Sequence, residues 1–279
     1  VGSEMCIRDR MKIWEVSSKS MTTDLRSIGM DYPSWRDAME AAIASDNLSV
    51  IGEVRGGQLV RFEDSSGARL HILGVEPFST YAGFAGSPTV TAHVSSVDDV
   101  LALVEIVEDD PSSDDFDKVI EVASCLLSQG PMIVDAGTQT FEHVALSALA
   151  TDFALDASAE EYEKRTGATP TTLDFEGAKA IVGDQVGKAS PSATVKLAGV
   201  INNSRKHVNE LTGKKFWVLN LALPTPMDVL VPGGDEAPQP GMVVSGTFSL
   251  TGEIIPPQGC GGGCGDGGCG CGDGGCGGH

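Results

Sequence analysis

No segment of this chain carries a familiar catalytic spacing. There is no Gly-x-Ser-x-Gly, no Gly-rich loop ending in Lys-Ser or Lys-Thr, no Gly-x-Gly-x-x-Gly following a strand, and no His-Glu-x-x-His. Each of those spacings holds a nucleophile, a phosphate or a metal at fixed geometry. Their absence leaves no motif for serine hydrolases, nucleotide-dependent enzymes or zinc proteases. His71, His93, His143 and His207 sit in separate segments. Aromatics are few, with nine Phe, three Trp and three Tyr in 279 residues. No run approaches the roughly twenty apolar residues of a membrane-spanning helix, and no membrane partner is expected.

Positive charge is also scarce. The chain has 19 Lys and Arg against 39 Asp and Glu, a formal charge of −20. The imbalance is local: the first 184 residues hold 13 basic and 32 acidic side chains, whereas 185–255 hold six and five. Such a surface repels polyanions, so nucleic acid is not expected as a partner of the full chain. A solvated acidic face of a cytoplasmic protein is the expectation.

What is abundant lies at the C-terminus. Gly259 to His279 consists of thirteen Gly, five Cys, two Asp and one His. That composition cannot build an apolar core, and it concentrates soft thiolate donors in a low-complexity, disordered tail. The candidate metal ligands are Cys260, Cys264, Cys269, Cys271, Cys276 and His279. Structural zinc sites usually open with Cys-x2-Cys, a spacing missing here; Cys269-x-Cys271 and Cys276-x2-His279 come nearest. Adaptable, thiolate-driven binding of Zn or Cu(I) is the expectation. Cys125 lies in the apolar run VIEVASCLL and reads as a buried, inert thiol. A lone body cysteine with no secretory signal fits a reducing cytosol.

Along the chain, Pro33 to Ser45 predicts a helix with Trp35, Met39, Ala42 and Ile43 on one face. From Ser49 the period becomes two. SVIGEVR, QLVRFED, ARLHILG, TVTAHVS and VLALVEIVED read as strands, the first three joined by hairpins at Gly56-Gly57 and Ser65-Ser66-Gly67. His71 and His93 fall at outward positions of that alternation. VIEVASCLLS leans to strand, TFEHVALSALATDFALD fits helix or strand, and Gly83 to Gly86 reads as a turn. Residues 168–191 read as a linker. No internal repeat is visible.

Residues 194–255 alternate again in KLAGVINNSRKHVNELTGKKFWVLNLAL, MDVLVP and PGMVVSGTFSLTGEI. This pattern resembles an OB-fold, a small five-stranded Greek-key β-barrel. The whole chain resembles an uncharacterised bacterial family with a β-rich first domain and this second one, for which no activity is implied. Val1 to Arg10, VGSEMCIRDR, resembles a translated sequencing-adapter peptide, which would place the natural start at Met11 or Met21. The expected fold is mainly β: an α+β, acidic β-rich domain over 11–167 with one N-terminal helix, a linker over 168–191, an OB-like β-barrel over 192–256, and the tail over 257–279.

OB-folds commonly bind ligands on their second and third strands. Arg205, Lys206, His207, Lys214, Lys215, Phe216 and Trp217 are the candidate ligand-binding residues, since stacking aromatics beside cations suit single-stranded nucleic acid or nucleotides. The competing expectation is that the outward aromatic packs on the acidic first domain. The favoured function is therefore non-catalytic: a binding or adaptor protein with an unidentified protein partner, whose tail captures a soft metal. A nucleic-acid or nucleotide-binding protein using the OB-like face is the alternative. An enzyme with an unrecognised site comes last.

Overall fold

The computed structural model describes residues 23–184, 186–234 and 237–256. Residues 1–10 and the tail ligands Cys260, Cys264, Cys269, Cys271, Cys276 and His279 lie outside them. The described chain is mainly β, with two sheets.

Two helices open it, α1 (Thr23–Arg26) and α2 (Trp35–Ala44). The Ser34 hydroxyl caps α2 by accepting from the Asp37 N–H, satisfying one of the donors a helix start leaves free. Ala38, Met39 and Ala42 form its buried side. A four-stranded antiparallel meander follows: β1 (Leu48–Val54), β2 (Gly57–Glu63), β3 (Ala68–Leu73) and β4 (Ser79–Phe84). Arg55 and Gly56, both at positive φ (48° and 76°), form the two-residue turn between β1 and β2, the twist that matches paired strands. Gly83 and Phe84 belong to β4, not to a turn. Their neighbours are small, which hid the strand.

The second sheet has nine strands. Its first run is β5 (Thr89–Ser96), β6 (Leu101–Val107), β7 (Val119–Leu127) and β8 (Gln139–Asp156), with the short α3 (Gly130–Ile133) before β8. Then come α4 (Ala159–Thr166), β9 (Thr171–Asp174) and α5 (Glu176–Lys179). The second run is β10 (Thr194–Val208), β11 (Lys215–Leu221), β12 (Asp228–Pro232) and β13 (Val243–Ile255).

The two runs are wired alike. In each, the first strand pairs antiparallel with the second and with the fourth (β5 with β6 and β8; β10 with β11 and β13). In each, the third strand pairs in parallel with the other run's fourth, β7 with β13 and β12 with β8. The fourth strands pair with each other from His143↔Ile255 to Asp156↔Val243. Followed strand by strand, the pairings return to their start in two five-membered circuits, β5–β6–β7–β13–β8 and β10–β11–β12–β8–β13. A repeat thus exists in topology although none is legible in residues.

This wiring crosses the expected boundary. Residues 168–191 carry β9, which pairs with β10, and α5, whose Ala178 joins the main core. That core runs without a break from Val94, Val104 and Val144 to Val195, Leu219 and Phe248. Gly246 lets the two long strands approach: a Cβ there would collide with the Asp152 carbonyl oxygen. A second core packs Leu25, Ala38, Phe62, Leu70 and Phe84 of the N-terminal region on Leu149, Phe216, Val218 and Leu230, the outward face of the second circuit. No helix among the described residues is long and apolar enough to cross a membrane.

Candidate functional site

The β10–β11 hairpin carries the seven expected ligand-binding residues, and its pleat separates them. The register sets His207 opposite Phe216 and Lys206 opposite Trp217, so the two pairs face opposite ways. Phe216 is fully buried in the second core. Its ring meets Phe84 edge-on at 6.2 Å, and the His207 ring lies 5.4 Å from it. His207 Nδ1 is 2.9 Å from the Ser66 carbonyl oxygen. Trp217 turns inward against the main core. Lys206, Lys214 and Lys215 are exposed. Arg205 lies 3.7 Å from the buried Asp228 carboxylate, whose pKa is raised by burial against an opposing Ser87 N–H and Arg205. The outward aromatic packs on the acidic N-terminal region, and the hairpin presents cations without a stacking ring beside them.

His71, expected outward, is fully buried. Arg61, His71 and Tyr81 are register partners across β2, β3 and β4. The face they share is covered by β13: Arg61 and Arg69 both donate to Glu253, and the Tyr81 hydroxyl donates to the Ser128 carbonyl at 3.1 Å. The His71 ring stacks on Tyr81 with centroids 4.9 Å apart, and neither ring nitrogen has a hydrogen-bond partner. Burial, then the two guanidinium charges, lower its pKa to about 3, with only the Tyr81 backbone pulling the other way. This imidazole stays neutral and packed, and it offers no proton to a substrate.

Cys125 is fully buried, and burial pushes its thiol up to about 12. A thiol so placed is neither nucleophile nor ligand at neutral pH. Among the described residues no group of three or more His, Cys, Asp or Glu side chains is arranged to hold a metal. One cleft of about 470 Å³ lies beside β13, lined by Asp24, Trp35, Asp98, Thr151, Ser192 and Thr247 among others. No Lys, Arg or His lines it, so it has no counter-charge for a phosphate or other anion.

Sequence reasoning overlooked one constellation. Phe116 and Phe141 stack with centroids 5.7 Å apart and an interplanar angle of 11°, both well exposed. The one signal for it is a phenylalanine inside an acidic turn, Asp114-Asp115-Phe116-Asp117, where an apolar ring has no burial to explain it.

Comparison of the chain with protein-family models, with curated proteins and with solved structures finds no match.

Proposed function

We propose that this chain is a non-catalytic binding or adaptor protein, a β-rich body carrying a tail that captures Zn or Cu(I). The observation that carries the reading is the division of donors. The body's Cys125 thiol is sealed and pushed up to about 12, while Cys260, Cys264, Cys269, Cys271, Cys276 and His279 fall within twenty residues of one another. Thiolates select soft ions over Mg²⁺ or Ca²⁺. The tail follows closely on β13, the strand paired with both runs, so a metal held there is tethered to the outer end of the shared β8–β13 ladder. In this reading the two strand circuits are OB-like barrels that share β8 and β13, and the protein works in the cytoplasm with a protein partner.

Nucleic-acid or nucleotide binding through the hairpin has less support. Phe216 is buried, Trp217 faces the core, and the chain's charge opposes polyanions.

Metal analysis of protein purified without oxygen, full-length and ending at Gln258, tests the proposal. Full-length protein should retain Zn or Cu(I), and the shortened one should not. Because thiols deprotonate on binding, uptake should release protons and weaken as pH falls. Equal metal content in the two, or none in either after loading, would remove the proposal.

A further inference from the structure

The outward face of the second circuit is covered by the N-terminal region, whereas among the described residues part of the first circuit's outward face is left uncovered. That bare part is built. In the β5–β8 ladder Ala92 pairs with Glu142 and Val94 with Gln139, so His93 stands opposite two residues, Thr140 and Phe141. A bulge of this kind re-aims a side chain. Phe141 takes φ +56° there, a left-handed backbone that a bulky residue adopts only under strain. The strain delivers the ring outward, where it is 43% exposed.

His93 fixes the ring from below. Its Nδ1 accepts from the Phe141 N–H at 3.3 Å, which leaves the proton on Nε2 to donate to Asp117 at 2.8 Å. The imidazole meets Phe141 edge-on at 5.0 Å. Asp117, also at positive φ, turns the loop so that Phe116 lies flat on Phe141. Val119 and Ile120, 41% and 59% exposed, follow on β7. Around this apolar centre negative charge predominates: residues 105–121 contain eight Asp or Glu and one Lys, Lys118, which pairs with Asp115 at 3.1 Å.

We propose that the Phe116–Phe141 face docks a basic segment of another protein, one in which arginines alternate with aliphatic residues. An apolar centre with a polar rim is the anatomy of a protein interface. The carboxylate rim selects a cationic partner by charge complementarity. Arginine suits the site better than lysine, because a guanidinium lies flat on an aromatic ring while its edge reaches carboxylates. A second copy of this chain is the poorer occupant, since bringing two molecules of −20 together adds repulsion.

The test uses the full chain and two short labelled peptides of equal charge, one alternating Arg with Leu and one alternating Lys with Ser. The Arg–Leu peptide should bind at least about tenfold more tightly, about 1.4 kcal/mol. Phe116→Gln should abolish that difference while leaving the unfolding midpoint unchanged, because the ring is exposed. Asp114→Asn with Asp115→Asn should weaken both peptides and flatten the salt dependence. Equal binding of the two peptides would overturn the proposal, as would binding indifferent to Phe116→Gln. A fall in unfolding midpoint with Phe116→Gln would make the pair a folding element and overturn it too. So would self-association in sedimentation that this substitution removes.

Discussion

The two four-stranded runs share one wiring and use their outward faces in opposite ways. The β10–β13 run turns Phe216, Val218 and Leu230 outward, and the meander and helices bury them. The β5–β8 run turns Phe116, Phe141 and His93 to its outside, and among the described residues no element covers that stacked pair. One face is spent on folding and the other is left available. Topology alone therefore does not say which outward face a β protein covers; the burial of its outward aromatics does.

The largest effect is expected where the runs interlock. Gly246→Val drives a side chain into the Asp152 carbonyl and distorts the β8–β13 ladder that belongs to both circuits. Urea unfolding should show a loss above about 4 kcal/mol, or no folded protein, the range reserved for severe backbone and core lesions. Retention of near-normal stability would show that the ladder is not shared as described.

A smaller, pH-dependent effect should come from the covered side. His71 is held neutral with a pKa near 3, against about 6.5 when unfolded. Between those values the unfolded chain binds the extra proton, so stability falls as pH drops below about 6.5, at most by about 1.4 kcal/mol per pH unit for one group. His71→Phe keeps the stack on Tyr81 and removes the titration. Its stability should decline less steeply than the parent's between pH 6 and pH 4. Parallel profiles would mean that His71 is solvated.

The smallest effect should follow a cut in the chain. Residues 187–190 are exposed, and a single engineered protease cleavage there should leave both fragments in one particle, since β8 and β13 remain paired across it. Separation of the fragments on a sizing column would restore two independent domains.

Much of the fold was legible locally. Alternation located β1, β2, β3, β5, β6 and the four strands of the second run, and Pro33 to Ser45 marked α2. β8 was ambiguous for a physical reason: Val144 to Ala150 are all buried, because that strand has neighbours on both edges and cores on both faces. A period of two disappears when neither face meets water. The shared ladder was invisible because it joins residues about a hundred positions apart. His71 was misread because its face of β3 is covered by β13, a contact no local pattern encodes. The Phe116–Phe141 pair needs a bulge and a loop to meet, and neither leaves a residue signature beyond a lone aromatic among acids.

The contrast between a face used for folding and a face left open is tested most directly by one pair of variants, Phe216→Ala and Phe116→Ala, unfolded side by side in urea at neutral pH. Phe216 is fully buried, so its loss should cost about 3–5 kcal/mol. Loss of Phe116, 46% exposed, should change stability by no more than about 0.5 kcal/mol. Similar costs for the two, or a larger cost for Phe116, would contradict the account.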